Sequence, residues 1–411
     1  MDDYRFLILK NVFLFFTALY QIFSHWPKYS GKIKIRKRKE YEEEQKLKRK
    51  LAIGEKVLRF SEEILTRTFL IEEGNVYSTI GMVSQMLIGT HNGNFHCDEV
   101  FACYMLKKLP MFANHSIVRT RDPEMLKQCD IVVDVGGVYD HQKKRYDHHQ
   151  RDFAESMHSV ARLPFQTKLS SAGLIYAHYG KSVIANILNL AEDDADMDRL
   201  YEHVYRKFVE GVDAIDNGIK QYDGTPRYQM SSTLDSRVRN CNPAWNDQKP
   251  DPEKGFHNAM AIVGAEFEER IRYLHSAWIP ARNIVIEAIE RRNEAHPSGR
   301  IILFPKSGVV PPWKEHFFQL ENELGLENVG ICLVVFADNS NNTWRVQAIP
   351  VSDVSSFDNR ISIPWRGHRD DQLEKESGIE GAIFVHANGF IGGTKSLEGA
   401  MRMAEETLKM N

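Results

Sequence analysis

Cysteine is scarce in this chain. Cys97, Cys103, Cys129, Cys241 and Cys332 are scattered over 411 residues. An odd number with no Cys-x-x-Cys pair excludes both a disulfide framework and a tetrahedral cysteine zinc knuckle. They read mostly as buried thiols of a reducing compartment, with Cys97 singled out because it stands between His96 and Asp98. A dominant charge is lacking too: 53 Lys and Arg against 56 Asp and Glu leave a net charge of -3. The chain therefore cannot coat nucleic acid at large, and a phosphate-rich partner has to be gripped by a local basic patch. There is no internal repeat and no low-complexity tract beyond one basic segment near residue 40.

Long apolar runs are lacking except for one, FLILKNVFLFFTALYQIF (Phe6 to Phe23), which Lys10 interrupts. It is marginal against the roughly 20 residues a bilayer span needs. It fits a signal anchor or secretory peptide, but no small-x-small cleavage site follows. It also fits an organelle-targeting segment, since no acidic residue lies between Arg5 and Lys39. A third reading is an extension packed loosely on the body, with KIRKRK as a nuclear address. Residues 1–80 are thus a targeting or poorly ordered extension without catalysis, and a membrane anchor there stays open, while the main body is not expected to insert into a membrane.

What is present is the composition of a soluble globular protein, 42% hydrophobic and 27% charged, at a length that suits two or three domains with a cleft between them. From Met86, MLIGTH reads as a buried strand, DEVFACYMLKKLP as a helix and HSIVRTR as a second strand; DPEMLKQC then leads to the strand DIVVDVGG. Strands alternating with helices predict an α/β fold with a mainly parallel sheet and ligands at the carboxyl ends of its strands. Helices follow over 172–190 and 197–215, then a long helical stretch over 256–294 broken near Pro280. After HPSGR, the strands IILF, GICLVVFAD, TWRVQAIP and GAIFVHA and the amphipathic helix SLEGAMRMAEETLK predict a smaller α+β unit. The expected domains are 81–296 and 297–411, with the active site in the cleft between them.

Polar residues collect at the predicted strand ends. THNGNFHCDE supplies His91, His96, Asp98 and Glu99; VVDVGG supplies Asp134 in an apolar run; RYDHHQRDF supplies Asp147, His148 and His149. A buried strand aspartate is costly unless paired or bound to a cation. Imidazole with carboxylate suits Mn²⁺, Zn²⁺, Fe²⁺ or Co²⁺, and carboxylates alone suit Mg²⁺. Two cations want about six to eight ligands with one bridging carboxylate, and His91, His96, Asp98, Asp134 and His148 nearly fill that number. FVEGVDAIDNGI offers the remainder in Asp213 and Asp216, three residues apart on one helix face among apolar neighbours. At least one of the two is expected to reach the metals; the other would cap the helix or pair with a basic neighbour.

These stretches, with IVRTRDPE, TKLSSAGLIY and FVHANGFIGG, resemble the DHH superfamily of phosphoesterases, and more closely the eukaryotic melanocyte-proliferating-gene exonuclease family, from about Leu87 to the C-terminus. The resemblance implies a DHH-type catalytic domain followed by a substrate-binding domain, two divalent cations (Mn²⁺ or Mg²⁺), and a 3′ to 5′ exonuclease of RNA in mitochondria and nucleus. It implies that His91 and His96 hold one cation with Asp134 as the bridge. Asp98, Asp134, His148 and either Asp213 or Asp216 would hold the other. His149 would touch a substrate phosphate, and Asp147 would orient the histidines from behind. Many superfamily members carry an aspartate where His96 stands, which leaves the metal identity open.

Arg119, Arg121, Arg151 and Lys168 are candidates to grip the substrate, as are Lys314, Arg366, His386 and Lys395 in the second domain. Trp313, Trp365 and Phe390 are candidates for stacking bases. Gly392 and Gly393 are expected in a turn ahead of the last helix, letting backbone approach a phosphate. The same ligand set would serve a pyrophosphatase, a small-substrate phosphatase or a nucleotide phosphodiesterase, and an RNA-binding protein without catalysis is a further alternative. The oligomeric state is not legible.

Overall fold

The computed structural model describes residues 86–411 apart from 307–309, 339–340 and 355–356. The chain divides into two compact units, Met1–Gly81 and Met82–Asn411, and the described residues all lie in the second. The expectations for residues 1–80, including the targeting segment, the basic address and the anchor, lie outside the described residues. Among the described residues no helix is long and apolar enough to cross a membrane.

The first sheet is built from β1 (Leu87–Thr90), β2 (Ser116–Arg119), β3 (Ile131–Val133), β4 (Tyr139–Asp140) and β5 (Arg145–Tyr146). Its order is β2-β1-β3-β5-β4; β1, β2, β3 and β5 run parallel and β4 pairs antiparallel with β5. All four residues of β1 are buried, as expected of a strand covered on both faces. Between β1 and β2 lies α1 (Cys97–Lys107), and between β2 and β3 lies α2 (Pro123–Lys127). The β4–β5 hairpin is absent from the sequence reading, because two-residue strands carry no readable alternation. It nevertheless sets the site: β5 pairs Tyr146 with Val133, and Asp134 N–H bonds the Tyr146 carbonyl at 3.0 Å. Asp134 and Asp147–His149 therefore leave the sheet side by side.

Helices α3 (Met157–Ala161), α4 (Ser171–Leu188), α5 (Met197–Val204), α6 (Glu210–Asp216), α7 (Leu234–Arg239) and α8 (Pro252–Tyr273) follow. Most of them close over one large apolar cluster with α1 and the sheet. The predicted helix over 197–215 is interrupted by a π-helical turn, Tyr205–Val209. The break anticipated near Pro280 is also a π turn, Leu274–Trp278, placed just before α9 (Ile279–Glu290). Pro280 lacks an N–H and its ring would crowd the Ser276 carbonyl in a regular helix, and the wider turn accommodates both.

After α10 (Arg292–Ala295) come β6 (Ile301–Leu303), α11 (Lys314–Glu323), β7 (Leu333–Asp338), β8 (Thr343–Ala348), α12 (Asp370–Ser377), β9 (Ala382–Val385), β10 (Ile391–Thr394) and α13 (Leu397–Met410). The second sheet has the order β6-β7-β8-β10-β9, parallel only at β6–β7, and is lined by two apolar clusters of its own. The boundary expected at 296/297 falls in the turn between α10 and β6. The glycine turn expected at Gly392–Gly393 is instead strand β10, buried between β8 and β9. A Cβ on Gly392 would stand 2.6 Å from the Met403 sulfur, and one on Gly393 would stand 2.6 Å from the Phe384 ring. Close packing accounts for both glycines.

Candidate metal centre

Five short segments deliver the polar residues to the carboxyl edge of the first sheet. His91 follows β1, Asp98 and Glu99 open α1, Asp134 follows β3, His148 and His149 follow β5, and Asp216 ends α6. The β1–α1 loop is clamped on both sides. Arg119 donates to the Gly93 carbonyl at 2.6 Å, pairs with Glu253 at 3.2 Å, and lies over the Phe95 and Phe256 rings. Arg121 bonds the Asn92 carbonyl and its side-chain oxygen. Asn242 accepts from the Phe95 N–H at 3.0 Å and donates to the Phe95 carbonyl at 2.9 Å. Arg119 and Arg121, candidates for the substrate grip in the sequence, are here braces of the loop that carries His91 and His96.

The ligand atoms converge in three groups, of which the second and third share His148: His91, His96 and Glu99; Asp134, His148 and His149; and Asp98, His148 and Asp216. His91 Nε2 lies 2.9 Å from a Glu99 oxygen and 3.3 Å from Asp134 Oδ2. His148 Nε2 lies 3.1 Å from Asp216, 3.4 Å from Asp134 Oδ1 and 3.8 Å from Asp98. Asp134 thus presents one oxygen to each histidine. Its backbone is in the left-handed region, φ 56°. A non-glycine residue is held there only when its surroundings over-determine it, as at many functional sites.

The stretch SSAG explains how two further carboxylates tolerate complete burial. Ser170 caps α4, and the first N–H groups of that helix, on Ser171 and Ala172, bond Asp98, which also benefits from the helix dipole. Ser170 Oγ lies 2.6 Å from Asp98 and 2.8 Å from Asp213. Asp213 further accepts from the Ser170 N–H at 3.0 Å and from the Tyr205 hydroxyl at 2.8 Å. Gly173 leaves room for it, since a Cβ there would collide with the Asp213 carboxylate. Asp213 is therefore occupied by protein donors, and Asp216 is the aspartate that faces His148.

Electrostatics follow from crowding four carboxylates and four imidazoles. Burial alone would lower the pKa of His91, but Asp134 and Glu99 outweigh it and raise the value to about 10. His148 is likewise disfavoured by burial and raised to about 11 by Asp134, Asp216 and Asp98. Burial works against the Asp134 carboxylate, yet the two histidines hold it below the usual range. Burial, with Asp134 and Asp216 alongside, pushes Asp98 well up, and burial raises Asp213 to about 7. One hydroxyl proton on Ser170 cannot serve two carboxylates, which agrees with a proton residing on one of that pair.

Donor chemistry and geometry both fit divalent cations. The buried ring nitrogens of His148 have no aligned hydrogen-bond partner, although Nε2 faces three carboxylates, a convergence in which a cation could take the place of the ring proton. Mixed oxygen and imidazole donors suit first-row cations. Glu99, named at this strand end in the sequence but not counted among the candidate ligands, stands with His91 and His96, and as the third residue of α1 it also accepts from the His96 N–H at 3.0 Å. The Cys97 thiol is buried and pushed well up by that burial, which makes it a poor ligand.

His149 is the exposed member of its group, with its side chain 63% exposed and Nδ1 2.7 Å from Asp147 and 3.4 Å from Asp134. Asp147 is buried and is fixed by the N–H groups of Gly137, at 2.6 Å, and His149, at 3.1 Å. Of the other candidate cations, Arg151 is exposed, and Lys168 is half-buried over the Phe153 ring. Lys314 opens α11, Arg366 bonds Ser362 at 3.0 Å, His386 accepts from the Asn388 N–H, and Lys395 is exposed. None of these, nor Gly392 and Gly393, joins the ligand groups. Trp313, a stacking candidate, is buried among the apolar residues of β7 and α11.

The fold and this edge define a class: an α/β protein whose first sheet ends in carboxylate–imidazole groups able to hold divalent cations. Residues 87–408 match the family model MYG1_exonuc, described as "Uncharacterised protein family (UPF0160)", and the chain belongs to that family. It is 53% identical to a MYG1 protein of Caenorhabditis elegans over 79% of this chain and 95% of the relative. It is 51% and 50% identical to proteins named MYG1 exonuclease from Mus musculus and Homo sapiens, over 78% of this chain and 84% and 85% of those relatives.

Proposed function

We propose that this chain is a metal-dependent phosphodiester hydrolase that shortens RNA from its 3′ end with two cations of the Mn²⁺ or Mg²⁺ kind. The observation that carries the reading is Asp134, one carboxylate placed between His91 and His148 with an oxygen toward each. The relatives named exonuclease support a nucleic-acid substrate. His91, His96, Glu99 and Asp134 would hold one cation, and Asp98, Asp134, His148 and Asp216 the other. Cations held there would lower the pKa of a bound water and neutralise phosphate charge.

The chain's own groups do the positioning. Asp147 holds Nδ1 of His149 as the donor toward its carboxylate, and the doubly protonated ring would donate from Nε2 to a phosphoryl oxygen. Arg119 and Arg121 keep the His91–His96 loop in place. The substrate would lie between the two sheet-bearing halves of the Met82–Asn411 unit, as DHH phosphoesterases arrange it, with Lys314, Arg366, His386 and Lys395 on the far side. The activity would belong to mitochondria, the nucleus or both, as the family resemblance implies.

The test is a panel of end-labelled RNA, end-labelled DNA and pyrophosphate, each offered with Mn²⁺, Mg²⁺, Zn²⁺ or EDTA. Stepwise shortening of RNA from the 3′ end with Mn²⁺ or Mg²⁺ is expected. Release of phosphate from pyrophosphate with RNA left intact would overturn the reading in favour of a small-substrate phosphatase.

A further inference from the structure

Every residue from Gly218 to Ser232 is exposed, and none belongs to a helix or strand. Structureless loops this long are uncommon inside compact domains and usually serve a function. This one starts two residues after Asp216. Asn217 pins its start to the Lys168 carbonyl at 3.0 Å and to the Asp213 carbonyl at 2.9 Å. At its other end α7 leads to Asn242, which holds the β1–α1 loop through Phe95. Both attachments are thus to the scaffold of the metal centre.

The stretch carries an unusual surface, with Tyr222 50% exposed, Tyr228 74% and Met230 64%; beyond α7, three residues after Asn242, Trp245 is 97% exposed. Four large side chains left in water within the span Tyr222 to Trp245 offer the apolar surface an interaction site needs. Charge selects the partner: residues 217–249 hold five basic residues (Lys220, Arg227, Arg237, Arg239, Lys249) against three acidic ones, in a chain whose net charge is -3. Only Arg237 among these five is committed to an ion pair, with Glu266. Aromatic rings interleaved with cations suit a single-stranded polyanion, whose bases stack while its backbone is neutralised. A protein partner would be expected to meet fewer cations among the rings.

We propose that this surface receives the single strand next to the scissile end, with bases stacked on Tyr222, Tyr228 and Trp245 and phosphates met by Lys220 and Arg227. The proposal rests on the reading of the metal centre as a nuclease and adds well-exposed rings to it, since Trp313 is buried and Trp365 and Phe390 are half-buried.

The test uses the full chain with Mn²⁺, a 5′-labelled single-stranded RNA of about 20 nucleotides, and bis(4-nitrophenyl) phosphate as a diester without a strand to occupy that surface. Replacing Tyr222, Tyr228 and Trp245 together by Ala should raise KM for RNA about 100-fold, and the ratio of RNA to small-diester turnover should fall by the same order. Trp245→Ala alone should give roughly tenfold, with no effect on folding at so exposed a position. Phe at all three positions should restore KM to within about threefold, because stacking needs only the ring. An unchanged RNA KM in the Ala variant would overturn the proposal, as would intact RNA binding with an altered oligomeric state. If the wild type cleaves neither substrate, the nuclease reading fails on its own. The surface is then judged by quenching of Trp fluorescence on adding RNA: loss of that quenching in Trp245→Phe supports the proposal, and quenching that survives it, or its absence in the wild type, overturns it.

Discussion

Asp213 and Asp216 lie three residues apart on one helix, yet they meet different surroundings. Ser170 and Tyr205 satisfy Asp213, whereas Asp216 looks at His148 across 3.1 Å. Asp216→Asn should therefore weaken Mn²⁺ binding at least tenfold with little change in melting temperature. Asp213→Ala should instead strand buried donors and destabilise the fold by about 2–4 kcal/mol. Calorimetric titration and thermal denaturation of the two variants separate the roles. Protonation supplies a second test. With His91 and His148 raised to about 10 and 11, both rings are charged at pH 7 in the absence of cations, and a ligand nitrogen must be neutral. Filling both sites with Mn²⁺ at pH 7 should thus release at least two protons, read from the heat of binding in buffers of different ionisation enthalpy, and apparent affinity should rise with pH. At this scale the sequence exposed most of the site: Asp134 stood out as a carboxylate in an apolar run, and the histidine pair as adjacent imidazoles beyond a strand. It did not expose Glu99 as a ligand, because its place in the first helical turn also suits capping, nor the choice between two aspartates that share a helix face.

Among the elements, the N-terminus of α4 does the most to make the site possible, by giving backbone donors to Asp98 and space to Asp213. Gly173→Ala would push a methyl group onto the Asp213 carboxylate. It should destabilise the protein by about 1–3 kcal/mol and weaken metal binding with it, measured by the same melt and titration. The π turn at Tyr205–Val209 contributes as well, since one extra residue in a turn rotates the succeeding residues by about 100°, and Tyr205 itself grips Asp213. Strands β1 to β3 and helix α1 were legible because burial and helical spacing are strong in them. The β4–β5 hairpin was not, each strand being two residues long, and β10 was not, because glycines that read as a turn are there to admit Met403 and Phe384. No periodicity reports a π turn, and only Pro280 hinted at one.

At the level of the whole molecule, the compact unit Met82–Asn411 carries both sheets and all of the candidate ligands. A chain beginning at Met82 should melt in Mn²⁺ within a few degrees of the full-length protein and hydrolyse RNA at a comparable rate, and a tenfold loss would assign the first 81 residues a part in catalysis. The alternation of strands and helices announced the parallel first sheet, and the return of strands after Arg300 announced the second. The braces Arg119, Arg121 and Asn242 were not visible as such, since their partners are distant in sequence and become neighbours only on folding. The most direct test of the account is the rate of 3′ shortening of a 5′-labelled RNA against Mn²⁺ concentration, for the wild type and for Asp134→Asn. The account predicts saturable, EDTA-sensitive shortening that falls at least a thousandfold in the variant at every Mn²⁺ concentration. Cleavage that persists in EDTA, or that the variant retains, would contradict it.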